Sequence, residues 1–304
     1  MTSQLIVIGS YNQDHTSIVP EFPTPGETVL SSHIAINHGG KGSNQAIAAA
    51  RTGSSVAFIS AVGEDEAGTK ALSFWQKEKV NTSAVHRSPS IPTGSAQIIV
   101  NQHGENTICI YPGANHALHS KHIDHYLDFI STADMLLLQC EIPHVVLKHV
   151  LSLAHELNIP VIVNPAPAPH FPIESLSLIT YLTPNLKELE QLSGISIVTL
   201  HDTEKAAKSL LDAGTKYVIV TLGKEGVLIV TENLIKHIPA PSVNALDTTG
   251  AGDCFNGVLA SGLLAKMSLE EATTVANQAA AISVTEYGAV TSYPTLDQIT
   301  NARW

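Results

Sequence analysis

The segment Asp247-Thr248-Thr249-Gly250-Ala251-Gly252-Asp253 sets three small residues directly before an acid, at the head of a helical pattern over 254–264. Small residues at a helix start let several backbone N–H groups and the positive dipole end face a developing phosphate charge. Gly250, Ala251 and Gly252 are therefore candidates for an anion hole. Asp253 beside them is placed to take the proton of an attacking hydroxyl. The plain alternative, a helix-capping acid, loses ground only when the whole segment is read together. Gly250-x-Gly252 is a poor dinucleotide fingerprint, since Phe255 stands at the third glycine and the chain's first strand lies far away. A second glycine segment, Gly39-Gly40-Lys41-Gly42-Ser43-Asn44, opens an Ala-rich helical pattern that runs to Arg51. It is not a Walker loop: Ala35 occupies the first glycine position, and Gly42 rather than Ser or Thr follows the lysine. It reads either as a close-approach ligand turn or as a tight turn with an exposed lysine.

Such groups need elements to position them. Short apolar runs recur at 5–8, 56–59, 135–138, 161–163, 217–220 and 227–230. Helical patterns at 43–51, 67–78, 145–157, 185–192, 204–213 and 254–264 lie between them. Strands alternating with helices imply βαβ units and a Rossmann-like α/β fold, with a mostly parallel central sheet flanked by helices. Two stretches, 12–37 and 91–112, break the rhythm with alternating short runs, the second patterned as a hairpin. They are expected to form a small β-sheet lid on a single domain spanning 1–304. Open parallel sheets bind ligands beyond their carboxyl ends. There the predicted strands lead to Asn12 and Asp14, Glu141, Asn164, Asn185, Thr221 and Gly223, side chains and turns suited to hydroxyl recognition.

Sixteen Lys and Arg stand against 27 Asp and Glu among 304 residues, a formal charge of −11. A general nucleic-acid binder needs a basic field, so nucleic acid is not an expected partner. No run reaches the length of a membrane span and no secretory leader pattern opens the chain, so membrane association is not expected and a cytoplasmic location is. Cys109, Cys140 and Cys254 fit neither a disulfide framework nor a zinc ribbon and read as small buried hydrophobes. His116, His119, His122 and His125 recur at spacing three, but their solvated neighbours read as a surface face.

Together these residues resemble a known family, the ribokinase-like carbohydrate kinases, over nearly the whole chain. The anchors are Gly9-Ser10-Tyr11-Asn12-Gln13-Asp14, Phe22-Pro23-Thr24-Pro25-Gly26-Glu27-Thr28, the segment from Gly39 to Gln45, Pro112-Gly113-Ala114-Asn115, Asn164-Pro165-Ala166-Pro167-Ala168, Thr183-Pro184-Asn185 and the segment ending at Asp253. The resemblance implies a ribokinase-like fold and ATP-dependent phosphorylation of D-ribose at its 5-hydroxyl. It places Asn12, Asp14, Gly40, Lys41, Asn44, Glu141 and Asp253 at the sugar, with Asp253 as base. Gly250, Ala251 and Gly252 then form the anion hole. It further implies an ATP site at Asn185, Thr221, Gly223, Gly252 and Asn277, and Mg²⁺ with the ATP, linked to Glu188. An activating K⁺ is implied near Asp247, Thr249, Val284, Tyr287 and Ala289, although Glu286-Tyr287 departs from the family's basic pair. Asn277 likewise stands where a histidine is common. A homodimer through the lid is implied as well.

Three other readings compete. The first is another sugar or nucleoside kinase on the same fold, a deoxyribokinase or fructokinase. The second is a non-catalytic sugar sensor, against which the intact Asp253 and its glycines weigh. An NAD-dependent dehydrogenase fits worse, because the glycine motif lies near the wrong end of the chain.

Overall fold

The computed structural model describes residues 4–302. The strands are β1 (Gln4–Ile8), β2 (Asn12–Ile18), β3 (His33–Gly39), β4 (Ser55–Gly63), β5 (Val85–Ser88), β6 (Ser95–Val100), β7 (Asn106–Tyr111), β8 (Met135–Gln139), β9 (Val161–Asn164), β10 (Tyr181–Leu182), β11 (Tyr217–Thr221), β12 (Val227–Val230) and β13 (Ile235–Ile238). The helices are α1 (Lys41–Arg51), α2 (Glu66–Lys77), α3 (Ser120–His125), α4 (Leu127–Ile130), α5 (His144–Glu156), α6 (Leu186–Ser193), α7 (Leu200–Asp212), α8 (Ala251–Leu264), α9 (Leu269–Ser283) and α10 (Leu296–Asn301).

The main sheet runs in the order β13-β12-β11-β10-β9-β8-β1-β4-β5. Its members from β11 to β5 are parallel, and β12 and β13 extend it antiparallel. Uninterrupted apolar strands are what a sheet covered on both faces requires. Ile6, Ile8, Leu136, Leu138, Val161 and Val163 point to one face, under α5, α6 and α7. Their neighbours Leu5, Val7, Leu137 and Ile162 point to the other, where α1, α2, α8 and α9 pack. Each such side chain contributes about 1.5–3 kcal/mol by leaving water. The Trp75 indole, fully buried between α2 and α1, donates to Ser43 Oγ at 2.8 Å, so its one polar group is satisfied.

A second sheet, ordered β3-β2-β6-β7, stands off the first. The hairpin expected in 91–112 is β6 paired antiparallel with β7, and β2 joins β6 in parallel. Only the ends of the 12–37 stretch are strand, and an exposed loop carrying Pro23, Pro25 and Gly26 connects them. β2 begins four residues beyond β1, and β3 ends at the turn into α1. The small sheet therefore grows out of the same strand end that carries the first glycine segment.

Two readings from sequence need correction. Cys109 is exposed, because its β7 is an edge strand of the small sheet, whereas Cys140 and Cys254 are buried. The helical patterns stopped short of α9, whose buried Ala272, Ala276 and Ala279 pack against α8 without the strong apolar stripe that marks an amphipathic helix. The histidine row is a surface feature. His116, His119 and His125 are exposed and the His122 ring lies 4.2 Å from that of His86.

Candidate active site

The expected sugar positions come from four elements. Asn12 and Asp14 belong to β2, Gly40 precedes α1 and Lys41 and Asn44 occupy its first turn and a half, Glu141 follows β8, and Asp253 lies in the first turn of α8. Gly40 makes the approach of α1 possible. Its φ is 87°, and a Cβ there would lie 2.6 Å from Tyr11 Cα, so only glycine fits. Glu141 Oε2 accepts from the Lys41 backbone N–H at 3.0 Å and from Ser10 Oγ at 2.5 Å. That carboxylate thus ties the glycine turn to β8. Asn12 is held from behind: Asn115 Nδ2 donates to Asn12 Oδ1 at 3.0 Å and to the Tyr11 carbonyl at 2.8 Å, while Asn115 Oδ1 accepts from Tyr11 N–H.

The Asp253 carboxylate is 6% exposed and has a donor on each oxygen. Asn44 Nδ2 donates to Oδ2 at 3.0 Å and Gln45 Nε2 to Oδ1 at 2.9 Å. Asn44 Oδ1 is buried and finds no partner among the described residues, an acceptor left free beside Asp253. Electrostatics connect the group. Burial, then Glu141, then Asp253 push the Asp14 carboxyl up to about 7. Asp253 first, with Glu141 and Glu188 behind it, holds the Lys41 ammonium above the usual lysine range against the opposing effect of burial. Three carboxylates, Asp253, Glu141 and Glu188, therefore act on one half-buried lysine, a set able to grip hydroxyl groups and keep one cation at the point of reaction.

The other half of the site is a cleft of about 690 Å³. Asn185, Thr221, Gly223, Gly252 and Asn277 all line it. Their neighbours are mostly apolar, among them Val227, Val243, Ala251, Phe255 and Ala280, with Lys224 at the side. Gly250 has φ 75° and caps α8; a Cβ on it would lie 2.5 Å from the Tyr293 hydroxyl. Within the first turn the Ala251 N–H already donates to Thr248 O at 3.3 Å. Among the described residues no acceptor meets the N–H groups of Gly252 or Asp253, and nothing lies within 4 Å of a Cβ built on Gly252. The open donors of the anion hole are thus at 252 and 253, and Ala251 contributes shape. Asn277 Nδ2 donates to Pro239 O at 2.9 Å, holding the loop that forms one wall.

Asn185 and Glu188 sit at the cleft edge as a capping box. Glu188 Oε2 accepts from Asn185 N–H and Asn185 Oδ1 from Glu188 N–H, both at 2.9 Å. Burial pushes the Glu188 carboxyl up, against the lowering effects of its Asn185 hydrogen bonds and of Lys41. One carboxylate with a free oxygen is the protein share that Mg²⁺ usually takes when it arrives on phosphates with its own waters. For K⁺ the oxygens are of the right kind, and Asp247 Oδ2 accepts from Gly288 N–H at 2.9 Å, which joins the two segments. The carbonyls of Val284 and Ala289, however, already accept two donors each. A K⁺ bound at these carbonyls would compete with those hydrogen bonds.

Sequence reading missed the supports. Gln45, Asn115, Ser10 and Tyr293 were visible only as members of matched segments or not at all, because their partners lie 40 to more than 200 residues away. Asn164 needs correction: its Oδ1 accepts from Gln45 Nε2 at 3.2 Å and its Nδ2 donates to Thr183 O at 3.1 Å, so both ends serve the protein and not a ligand.

Comparison with known proteins agrees with this geometry. Residues 2–296 match the pfkB family of carbohydrate kinases. The chain is 39% identical to a ribokinase of Haemophilus influenzae over 295 residues, 97% of this chain and 96% of that one. It is 35% identical to a deoxyribokinase of Salmonella typhi, with the same coverage. A solved structure of an Arabidopsis thaliana ribokinase complexed with ribose and ATP superposes with a TM-score of 0.92 at 30% identity, covering 99% of this chain and 98% of that one.

Proposed function

The chain belongs to the pfkB family of carbohydrate kinases, and on that premise we propose that it transfers the γ-phosphoryl group of ATP to the 5-hydroxyl of D-ribose. The products are D-ribose 5-phosphate and ADP. The observation that carries the reading is the buried Asp253 carboxylate, held by Asn44 and Gln45 where the carboxylate-lined pocket meets the head of α8. The pocket takes the sugar: Asn12, Asp14, Glu141 and Asn44 offer the hydroxyl partners, and the free Asn44 Oδ1 awaits a donor. The 690 Å³ cleft takes the nucleotide, its apolar walls against the base and its glycine turn against the phosphates.

Asp253 removes the proton of the primary hydroxyl as that oxygen attacks the γ-phosphorus in line. The new O–P bond forms as the bond to the departing ADP oxygen breaks. The N–H groups of residues 252 and 253 and the Lys41 ammonium meet the charge on the transferring group. Glu188 would help hold the Mg²⁺ that accompanies ATP, and that ion would supply further charge neutralisation. The small sheet over the sugar pocket acts as a lid that excludes water, which would otherwise consume ATP. The proposal extends to K⁺ near Asp247, Thr249 and the 284–289 carbonyls, and to a cytoplasmic location with the ATP pool. It also includes a homodimer through the small sheet, supported by exposed Ile34, Ile36, Ile108 and Ile110 on its edge strands. Among the described residues no helix is long and apolar enough to cross a membrane.

The 35% identity to a deoxyribokinase favours one second reading, 2-deoxyribose as preferred substrate. A coupled assay for ADP over ribose, 2-deoxyribose, fructose and nucleosides, with and without potassium, separates the two. Ribose should give the highest kcat/KM. Higher kcat/KM on 2-deoxyribose would install the second reading, and no ATP turnover with any sugar would leave a sugar sensor.

A further inference from the structure

The base is not held by one neighbour alone. Gln45, on α1, is fully buried, and both ends of its amide are engaged. A carboxylate only accepts, so Asp253 Oδ1 fixes the nitrogen of Gln45 towards itself. Gln45 Oε1 then faces β8, where it accepts from Gln139 Nε2 at 2.7 Å. From the same nitrogen a second bond reaches Asn164 Oδ1 at the end of β9, and Asn164 Nδ2 donates to the Thr183 carbonyl just past β10. Thr183 Oγ1 donates to Asn256 Oδ1 at 2.5 Å, and Asn256 Nδ2 donates to the Gly252 carbonyl at 2.8 Å. Gly252 is the residue before Asp253, so the path closes on itself. Gln45, Thr183 and Asn256 are at most 1% exposed. A Met or Leu at 45 would fill similar space without desolvating an amide, which costs free energy unless every polar atom is paired.

We propose that Gln45 is a positioning residue for phosphoryl transfer: with Asn164, Thr183 and Asn256 it closes a buried ring that fixes the Asp253 carboxylate and the Gly252 carbonyl as one unit. One side of the ring sets where the base sits. The other side sets the orientation of the α8 first turn, and therefore of the N–H groups at 252 and 253. The ends of β9 and β10 are the rigid anchor for both. Base and anion hole then keep their spacing when the lid moves. The ring rests on the proposed role of Asp253 in the sugar-kinase reaction, so its test carries Asp253→Asn alongside.

The experiment measures kcat, KM for ribose, KM for ATP and melting temperature for the full-length protein and its variants. Gln45→Met removes both polar ends and should lower kcat on the order of 10- to 100-fold, the usual effect of about 1 Å of misplacement, with both KM values within about twofold. Thr183→Val cuts the ring on the far side and should lower kcat by about 3- to 10-fold, while Thr183→Ser keeps the hydroxyl and restores it. If Gln45→Met does not fold, the Thr183 pair decides alone. A kcat in Thr183→Val equal to that of wild type overturns the ring, as does a Gln45→Met defect carried by KM with kcat unchanged. Active wild type with inert Asp253→Asn keeps the kinase reading standing through such a failure. Asp253→Asn with near-normal kcat would instead sink the assignment of the base.

Discussion

The two halves of the site solve opposite problems with opposite materials. The sugar is neutral, yet its proposed place gathers Glu141 and Asp253 beside Lys41 and a third acid, Asp14, pushed up to about 7 by burial and by the other two acids. ATP is strongly anionic, yet its cleft is mostly apolar, with a glycine turn and helix N–H groups in place of a basic patch. On the proposed reading, charge serves to orient hydroxyls and to take one reacting proton, and the anion is met by backbone dipoles and a single half-buried lysine. An overall charge of −11 is compatible with an anionic substrate because only the local field matters at contact distance.

That contrast can be broken in order of effect. Replacing Asp253 by Asn keeps the shape but removes the base and turns one of its two acceptor oxygens into a donor, and kcat should fall by about 10²–10⁴-fold with ribose binding retained, measured by steady-state kinetics and calorimetric titration. Gly250→Ala attacks the anionic half through its backbone, since the left-handed conformation and the 2.5 Å contact with the Tyr293 hydroxyl leave no room for a Cβ. We expect about a 100-fold loss of kcat, with lower thermal stability. Asp14→Asn should raise KM for ribose about tenfold, leaving KM for ATP within twofold. Asn277→Ala, which frees the Pro239 wall of the cleft, should raise KM for ATP by only about three- to fivefold and leave ribose untouched.

Asp14 also makes a prediction about stability. Its folded value of about 7 lies above its ordinary one, so the folded chain holds this proton more tightly than the unfolded chain does. The contribution is intact in acid and is lost as pH rises from about 4 towards 7, the reverse of a salt-bridged aspartate. Above pH 7 Asp14→Asn should therefore be more stable than wild type by on the order of 1–2 kcal/mol after allowing for its partial exposure, and should melt higher. Equal melting curves at pH 5 and pH 8 for both proteins would show that Asp14 carries no such strain. A variant more stable and less able to bind sugar is the signature of a group placed for function.

Much of this was legible in the residues themselves. Apolar runs at 5–8, 135–138 and 161–163 declared strands covered on both faces, and the alternation with helical patterns declared a parallel sheet. The glycine segments declared helix starts that permit close backbone approach, and the hairpin of the small sheet was visible in its turn. Local signals reach only as far as local physics, however. α9 was silent because an alanine-rich helix wedged beside α8 needs no amphipathic stripe. Cys109 looked like a core residue until the strand that carries it proved to be an edge.

Residue types and short-range spacing alone determined which groups were available for chemistry: an acid behind small residues at a helix head, a glycine turn before a lysine, and polar ends on apolar strands. Tertiary structure decided which of these meet. Asn44 and Gln45 reach Asp253 across more than 200 residues, Asn164 turns inward to accept from Gln45, and Ala251 surrenders its N–H to Thr248. The physical reason is that a side chain's type fixes what bonds it can make, while its partner is fixed only when strand order and helix packing bring distant segments within hydrogen-bond distance.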